Sequence, residues 1–405
     1  MILIVNGGTS SLKVKVYNEQ GEVIAKIIAL NEKIDDINDT PKTEITYRAI
    51  KGNEKIFVKI INDDTDYKRV LGTMIMLLID WETGILKSLN EIKYVGHRVV
   101  KGGLDFSPVI YSPEVVEIIE ANYFLAPLHN HINLEGYRII KRMIPNAPQV
   151  AVFDSEYFSK MPEIKKIYGL PYEYYEKYHI QKFGYQGTAH EYVAEVVEKM
   201  FGENKKLTSC HFGNGCSMTA HVGKTAIDTT MGFSTLTGLV MGTRPGNLDP
   251  EILFYLMRTA EVGVGQLEDM LYKKSGLLGL SGLSHDMRII EKYMKENHSG
   301  ATLAHQVFIK RAIYYIGRCA AALNGLEVLT FSGGIGEASY LVRDRICKTL
   351  GWIGVEIDKK LNRDYHYSQG NVVISTQNSK VKVVIIPADE EYIIYKKVKK
   401  VCNIN

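Results

Sequence analysis

The chain has 405 residues, which is enough for two or three domains that each bury a core of their own. Its composition, 45% hydrophobic and 23% charged, is that of ordinary globular proteins and excludes a disordered or fibrous chain. A net charge of +3 gives nucleic-acid binding no electrostatic support, and no apolar stretch reaches membrane-spanning length, so neither nucleic acid nor a membrane is an expected partner.

The cysteines and the N-terminus indicate the compartment. The five cysteines are odd in number, lie far apart and include no C-x-x-C pair, which favours a reducing environment and argues against structural zinc. The chain begins with a strand-like run rather than a cleavable apolar segment. We therefore expect a cytoplasmic protein.

The first predicted element is a buried strand followed by a glycine loop, MILIVNGGTSSLK. The apolar run at 2–5 predicts the strand. Asn6, two glycines, three hydroxyl residues and Lys13 follow, and such residues expose backbone N–H groups, donate hydrogen bonds and supply positive charge. The pattern is typical of a phosphate loop, although on this stretch alone an ordinary strand and turn explains it equally well.

The next elements are predicted to be antiparallel hairpins. Residues 12–30 alternate about a turn at 20–21, and residues 45–61 alternate about a turn at 52–53. Apolar residues at helical spacing between 66 and 89 predict a helix, and residues 92–100 predict another strand.

The opening arrangement recurs near residue 207. The segment LTSCHFGNGCSMTAHVGKTAIDTTMG predicts a strand, a glycine loop with small polar residues, a strand, a Gly-Lys turn and a third strand. One such loop is common by chance, but two in matched context are not. We therefore predict an internal duplication, with two domains of one fold.

A third glycine segment, SGGIGEAS, is predicted to be a loop that follows the predicted strand LEVLTF and leads into a predicted helix. Ser339 stands where the last glycine of G-x-G-x-x-G belongs, which makes a dinucleotide-binding domain the weaker interpretation. The chain closes with a predicted strand, VKVVIIP, the acidic segment ADEE and a predicted terminal helix.

Ionisable side chains follow apolar strands at four places, Arg98, His129, Asp154 and Arg244. Each one has a structural explanation: an ion pair, a loop histidine, a helix cap or a turn. Because strand ends commonly line a ligand site, all four together with two phosphate-type loops favour a functional site.

These residues carry a resemblance that runs from Met1 to the final helix. The chain resembles the acetate kinases through the following motifs, in family order: VNGGTSSLK, GHRVVKGG, LAPLHN, VFDS, FGYQGTAH, HFGNGCS, DTTMGF, MGTRPGNLDP, KKSGLLGLSGLSHDMR, FSGGIGE and ADEE.

The resemblance implies an α/β fold of the sugar kinase, actin and heat-shock chaperone superfamily, with two duplicated ribonuclease H-like domains and a nucleotide cleft between them. The N-terminal domain would comprise 1–150, completed by the C-terminal helix at 388–405. The C-terminal domain, 151–387, would bind the nucleotide.

The implied activity is reversible transfer of the ATP γ-phosphoryl group to acetate, which gives acetyl phosphate and ADP. The implied cofactor is Mg²⁺, with Mn²⁺ as an expected substitute, and the implied assembly is a homodimer. Carried over position by position, the resemblance implies metal ligands Asn6 and Glu390; ATP contacts Lys13, His211, Phe212, Gly213, Asn214, Gly215, Asp286, Met287, Arg288, Gly334, Ile335, Gly336, Glu337 and Ala338; catalytic residues Asp154, Arg244, Gln186 and His129; and substrate contacts Arg98, Val100, Leu128, Tyr185 and Thr235.

This reaction explains the residue types. A carboxylate is already a nucleophile at neutral pH, so the difficulty is to bring two anions together, and positive charge has to do most of the catalysis. Arg98 would bind the substrate carboxylate and Arg244 would stabilise the group in flight. Asp154 then fits metal-water contact or positioning better than proton removal.

The chain departs from the family pattern at several positions. Gln186 replaces a histidine that contacts the transferred phosphoryl group, and because an amide cannot become a cation we expect weaker transition-state stabilisation. Two of the four expected pocket residues, Tyr185 and Thr235, carry hydroxyl groups, which predicts a more polar acid pocket. The other departures are Lys101 for histidine, His131 for proline, Thr235 for proline and Asn247 for aspartate.

Two alternatives stay open. One is a kinase for another short-chain carboxylate, such as propionate, butyrate or a hydroxy acid, or one that uses a different phosphoryl donor. The other is a diverged nucleotide-binding protein with weak turnover or none, which Gln186 and Asn247 favour. Retention of Arg98, Asp154 and Arg244 favours the kinase.

Overall fold

The structure is a computed structural model that describes residues 1–8, 11–31, 42–52, 54–62, 65–104, 107–126 and 129–404. The chain forms two compact units. Unit 1 comprises Met1–Glu156 and Asp389–Asn405, and unit 2 comprises Tyr157–Ala388. The division of the chain into functional domains at 150 and 388 stays a prediction.

The strands of the described residues form one sheet in each unit. Those of unit 1 are β1 (Ile2–Gly7), β2 (Ser11–Tyr17), β3 (Val23–Asn31), β4 (Thr43–Lys51), β5 (Glu54–Asn62), β6 (Tyr94–Val99), β7 (Val109–Ile110) and β8 (Gln149–Phe153). Those of unit 2 are β9 (Lys206–Phe212), β10 (Cys216–Val222), β11 (Thr225–Thr229), β12 (Val328–Ser332), β13 (Val372–Val373) and β14 (Lys382–Ile385).

The described residues also form fifteen α-helices. They are α1 (Tyr67–Met76), α2 (Pro113–Ala121), α3 (Asn130–Met143), α4 (Glu163–Lys166), α5 (Tyr172–Tyr178), α6 (Gly187–Phe201), α7 (Glu251–Thr259), α8 (Val264–Asp269), α9 (Gly276–Ser281), α10 (Met287–Lys295), α11 (Ser299–Ala322), α12 (Gly333–Ala338), α13 (Tyr340–Thr349), α14 (Lys359–Asp364) and α15 (Glu390–Val401).

The sheet of unit 1 has the strand order β5-β4-β3-β2-β1-β6-β8-β7. Strands β1 to β5 form an antiparallel meander, whereas β6 pairs parallel to both β1 and β8. Every residue of β1 is buried, which matches its continuous apolar run, while the edge strand β5 alternates between exposed and half-buried residues. The predicted hairpins are confirmed, although Asn53 of the second turn lies outside the described residues.

The sheet of unit 2 has the order β11-β10-β9-β12-β14-β13. Its first three strands pair antiparallel, and β12 pairs parallel to β9 and β14. The two sheets thus share a topology, in which a three-stranded meander is followed by two parallel strands. The predicted repetition of strand, loop and hairpin is confirmed in the mixed α/β fold.

Two predicted elements differ from the structure. Helix α1 ends at Met76 rather than near residue 89, because Asp80 accepts hydrogen bonds from the backbone of Glu82 and Thr83 and closes a turn there. The third glycine segment is not a loop, because residues 333–338 form the short helix α12 directly after β12.

The terminal helix α15 packs against the sheet of unit 1. Asp389 caps it by accepting from the backbone N–H of Tyr392. The negative charges of Glu390 and Glu391 in its first turn interact favourably with the helix dipole. Ile394 and Val398 pack against Ile4 in one hydrophobic cluster. The acidic start of α15 is thereby fixed beside β1.

Among the residues that the structure describes, no helix combines the length and the hydropathy that crossing a membrane requires.

Candidate active site

Three polar side chains of unit 1 meet where parallel strands end. The register pairs Val5 of β1 with His97 of β6 and Val99 of β6 with Phe153 of β8. Asn6, Arg98 and Asp154 therefore lie at the same edge of the sheet, as the strand-end pattern predicts.

Arg98 is the centre of this cluster. Its Nε and Nη2 donate to Asp154 Oδ2 at 3.0 and 2.6 Å, and its Nη1 donates to Asn6 Oδ1 at 3.2 Å. Burial lowers the pKa of the guanidinium, but the carboxylates of Asp154 and Glu390 outweigh burial and raise the pKa above its ordinary value. A guanidinium has five N–H donors and these contacts use three, so Arg98 can also bind a carboxylate of a ligand.

The acidic start of α15 faces the same residues. The amide nitrogen of Asn6 donates to Glu390 Oε2 at 2.8 Å and to Glu391 Oε1 at 2.6 Å. Lys13 Nζ lies 3.4 Å from Glu390 Oε2 and 3.8 Å from Glu391 Oε1. The charge of Glu391, with that of Glu390, raises the pKa of Lys13, so the lysine stays a cation.

The oxygen atoms of this cluster fit a magnesium ion. Carboxylate and amide oxygens are ligands that Mg²⁺ accepts, and the ion usually binds through one or two protein carboxylates while waters and substrate phosphates complete its shell. No group of three or more His, Cys, Asp or Glu placed to hold a metal occurs in the described ranges. Glu390 and the side-chain carbonyl of Asn6 suit an ion shared with a phosphate ligand rather than a closed protein cage.

The remaining predicted residues of unit 1 lie around β6 and α3. The backbone N–H of Val100 donates to Asn133 Oδ1 at 3.2 Å, and Asn133 also donates to the carbonyl of Gly7 at 2.9 Å, which joins α3 to the end of β1. His129 occupies the N-cap position of α3 without a side-chain capping bond. The predicted pocket residue Leu128 lies outside the described residues.

The second glycine loop follows β9 in unit 2. Gly213 N donates to Gly215 O at 3.0 Å, which closes a tight turn, and His211 Nδ1 lies 3.0 Å from Ser332 Oγ at the end of β12. Gly333 begins α12 with φ +75°, and a Cβ there would lie 2.7 Å from the carbonyl oxygen of Phe212. The segments 211–215 and 333–338 are therefore neighbours.

Two predicted catalytic side chains meet at Gly215. A Cβ at this glycine would lie 2.7 Å from Arg244 Nη2 and 3.4 Å from Gln186 Nε2. Arg244 is buried and donates to the carbonyl of Thr235 at 2.9 Å. Burial lowers its pKa from the ordinary value, yet an arginine keeps its charge in proteins. A buried cation and an amide donor thus flank the glycine loop.

The departures from the family pattern have structural roles in unit 2. The hydroxyl of Tyr185 donates to the carbonyl of Phe233 at 2.7 Å, so its proton is already used. Asn247 Oδ1 accepts from Gly238 N at 2.8 Å, a bond that an aspartate would also accept. The presence of Asn247 therefore does not indicate lost activity.

The expected adenosine contacts lie on two neighbouring helices. Asp286 caps α10 by accepting from Arg288 N at 2.8 Å, and the two side chains also form an ion pair. Glu337 Oε1 accepts from Gly333 N at 2.8 Å. A hydrogen bond between Ser339 and Glu291 joins α10 to the start of α13, so the segments 286–288 and 333–338 belong to one region of unit 2.

Sequence reasoning missed several residues of these sites. Glu391 accepts from Asn6 at 2.6 Å and lies 3.8 Å from Lys13 Nζ, and the acidic run ADEE was its only signal. Asn133 and the buried residues His190 and Ser217 were not selected either. Their hydrogen bonds join segments that are distant in the chain, which no local pattern shows.

The repeated sheet topology and the glycine-rich segments that follow β1 and β9 in the sequence agree with the phosphotransferase fold that the motifs imply. The comparison with known families makes the assignment specific, since the model of the acetokinase family matches residues 1–396. The chain belongs to the acetokinase family, which confirms the resemblance found in its motifs.

Individual relatives are similar over almost their whole length. The acetate kinase of Thermoanaerobacter pseudethanolicus is 43% identical over 406 residues, and the match covers 98% of each chain. The crystal structure of Porphyromonas gingivalis acetate kinase has a TM-score of 0.83 at 34% identity and covers 99% of both chains. A propionate kinase from Francisella tularensis has a TM-score of 0.84, also at 34% identity and 99% coverage.

Proposed function

We propose that this enzyme transfers the γ-phosphoryl group of ATP to acetate, reversibly, and so forms acetyl phosphate and ADP. The observation that carries the proposal is a pair of buried arginines at phosphate-type loops. Arg98 contacts Asn6 near the end of β1, just before the first loop, and Arg244 lies against Gly215 of the second loop. Two fixed cations suit a reaction between two anions.

Arg98 binds the acid in this proposal. Its remaining N–H groups donate to one carboxylate of the acid, and Asp154 holds the guanidinium plane by accepting from Nε and Nη2. Because acetate needs no deprotonation, Asp154 acts as a positioning residue. One carboxylate oxygen of acetate attacks the γ-phosphorus atom of ATP. The bond between that phosphorus and the oxygen that bridges it to the β-phosphate breaks, and ADP leaves.

Arg244, Gln186 and Lys13 serve the phosphates. Arg244 and the amide of Gln186 donate to the oxygens of the transferring group, and Lys13 neutralises the phosphate chain. Residues 211–215 supply backbone N–H groups, while 286–288 and 334–338 hold the adenosine. Asn6 and Glu390 would hold Mg²⁺, which when bound neutralises charge on the phosphate oxygens.

Trapping the product tests the proposal directly. Purified enzyme with acetate, Mg-ATP and hydroxylamine should form acetyl hydroxamate. The variants Arg98→Ala and Arg244→Ala should each lower the rate about 100-fold or more, because each removes a preorganised donor. Arg138→Ala, which removes an exposed ion pair with Glu120, is the matched control and should keep the wild-type rate. ATP binding without hydroxamate would favour the nucleotide-binding alternative, and full activity in both variants would refute the proposed roles of the arginines.

A second candidate substrate is a short hydroxy acid. Thr235 is buried beside Arg244 and places a hydroxyl where the family resemblance puts a proline. Kinetics with acetate, propionate and glycolate would decide between the acids. A clear preference for propionate would contradict the more polar pocket.

The assembly and location that we propose are a homodimer in the cytoplasm. The cysteines support a reducing compartment, since all five are free thiols and four of them are buried. Helix α7 supports a partner chain, because none of its residues is buried although it carries several large apolar side chains.

A further inference from the structure

A continuous row of hydrogen bonds crosses the interior of unit 2 and ends on Gln186. We name it the Tyr157–Gln186 chain. Its members, in order, are Tyr157, His221, Ser209, His190, Ser217 and Gln186. The hydroxyl of Tyr157 also lies 2.8 Å from the carbonyl oxygen of Lys224, which is the outer end of the chain.

Each link has hydrogen-bond length. Tyr157 Oη lies 2.9 Å from His221 Nδ1, and His221 Nε2 lies 2.6 Å from Ser209 Oγ. Ser209 Oγ lies 2.7 Å from His190 Nδ1, and His190 Nε2 lies 2.8 Å from Ser217 Oγ. Ser217 Oγ donates to Gln186 Oε1 at 2.5 Å, and both histidines and both serines are buried.

The number of hydrogens limits how the chain can be arranged. Burial lowers the pKa of His221 to about 3, so this ring is neutral and carries one N–H. A carbonyl oxygen stands at either end of the chain and can only accept, so the hydroxyl of Tyr157 donates to Lys224 O and the hydroxyl of Ser217 donates to Gln186 Oε1.

These two donations determine the contacts next to them. Because the Tyr157 proton is directed at Lys224, His221 Nδ1 is the donor to Tyr157 Oη. Because the Ser217 proton is directed at Gln186, His190 Nε2 is the donor to Ser217 Oγ. Rotation of the Gln186 carboxamide would turn Oε1 toward the carbonyl oxygen of Gly215, where two acceptors would repel each other; in the present arrangement Gln186 Nε2 donates to that oxygen at 3.4 Å.

We propose that the Tyr157–Gln186 chain orients the carboxamide of Gln186 so that its N–H₂ group faces the 213–215 loop as a hydrogen-bond donor. Ser217, His190 and Ser209 are then positioning residues for Gln186. The inference rests on the proposed function in one respect, namely that the Gln186 N–H₂ group donates to an oxygen of the transferring phosphoryl group. It explains how a neutral side chain at 186 keeps a donor directed at an anion.

Kinetics of Ser209→Ala test the proposal, because this change removes a small hydroxyl two side chains away from Gln186. We expect kcat for acetate to fall about 3- to 10-fold, the effect of one hydrogen bond, with KM for acetate and ATP unchanged. In a Gln186→Ala background the same change should have no further effect on kcat. Thr330→Val is the matched control, since Thr330 is the buried partner of Ser209 on β12 and its hydroxyl has no hydrogen-bond partner among the described residues. An equal loss of kcat from Ser209→Ala with and without Gln186 would overturn the proposal.

A second measurement does not depend on turnover. In protein with ¹⁵N-labelled histidine, the two rings that touch Ser209 are those whose resonances shift in Ser209→Ala. With ADP bound, His190 should carry a proton on Nε2, and a His190 ring without that proton would overturn the proposal. Absence of hydroxamate from acetate would refute the proposed function, whereas the position of the His190 proton still tests the chain.

Discussion

At the scale of single residues, Gln186 limits the charge available to the reaction. Gln186→His should raise kcat for acetate about 3- to 10-fold, because an imidazolium adds a cation beside Arg244 where the amide offers a neutral donor. The backbone at 186 has φ 60° and ψ 30°, a left-handed conformation that histidine tolerates. Steady-state kinetics would measure the change, with Gln186→Asn as the neutral control. A rate equal to or below that of the wild type would show that charge at this position is not limiting.

His97 makes the stability of unit 1 depend on pH. The ring is buried, its Nε2 lies 2.7 Å from Gln149 Oε1, and burial lowers its pKa from 6.5 to about 4. Between these two values the unfolded chain binds a proton that the folded chain does not, so stability is lost as the pH falls from about 6.5 to about 4.

We expect His97→Gln to reduce this acid sensitivity. Each such histidine contributes up to about 1.4 kcal/mol per pH unit within its window. Urea unfolding of wild type and variant at pH 5 and pH 7 would measure the difference, and the variant should lose less stability on acidification even if it is less stable at pH 7. Equal losses in the two proteins would show that His97 does not titrate in this range.

Some residues of the candidate active site could be predicted from the sequence and others could not. Polar residues directly after apolar runs identified Asn6, Arg98 and Asp154, because parallel strands bring their ends together by geometry alone. Glu391 and the Tyr157–Gln186 chain were missed. Side-chain contacts between distant segments depend on register and rotamers, which no periodicity in the sequence encodes.

At the scale of elements, the packing of α15 on the sheet depends on Gly96 of β6. A Cβ at this position would lie 2.6 Å from Val398 Cγ2, 2.8 Å from Ile394 Cγ2 and 2.9 Å from Ile4 Cδ1. Gly96→Ala should therefore destabilise unit 1 by about 1–3 kcal/mol, since α15 has to move outward. Thermal and urea unfolding would measure the loss.

Gly72 is the matched control for that experiment. It lies inside α1, and a Cβ there would have no heavy atom within 4 Å. Gly72→Ala should stabilise the protein by about 1 kcal/mol, because alanine loses less backbone entropy in a helix. If both substitutions changed stability in the same direction, close packing at Gly96 would not be the cause.

Elements with a clear hydrophobic period were predicted well, but the ends of helices and the structure of glycine-rich segments were not. The hairpins β2–β3 and β4–β5 follow from alternation about glycine turns. The extent of α1 and the helical state of residues 333–338 did not follow, because an Asx turn at Asp80 ends the first and a glycine-rich composition hides the second. Local propensity is a weak guide where a capping side chain or a neighbouring strand decides.

At the scale of the whole molecule, the recurrence of one topology in both units agrees with the duplication that the two glycine loops predict. Each unit adds to the common pattern of a meander and two parallel strands. Unit 1 extends its meander with β4 and β5, and unit 2 inserts α7 to α11 between β11 and β12. In the shared pattern a glycine-rich segment follows β1 in unit 1 and β9 in unit 2. The added strands and helices differ between the units, and the sequence repeat did not predict them.

Helix α7, one of the added elements of unit 2, bears on the oligomeric state. Four large apolar side chains of α7 are exposed, Ile252 by 48%, Phe254 by 53%, Tyr255 by 60% and Met257 by 42%. Several large exposed apolar side chains on one helix mark an interaction site more often than single exposed residues do. We therefore expect α7 to contribute to the interface of the proposed homodimer.

Light scattering of the purified enzyme at micromolar concentration should give the mass of two chains, and Phe254→Glu should shift it toward one, because a buried unpaired carboxylate disfavours association. Trp81→Glu is the control, since Trp81 is 87% exposed on a turn of unit 1, and it should leave the mass unchanged. A monomeric wild type would rule out the dimer, whereas a dimer that survives Phe254→Glu would place its interface on another surface. Because the change is at the surface of α7, unfolding curves like those of the wild type would confirm that lost association is not lost folding.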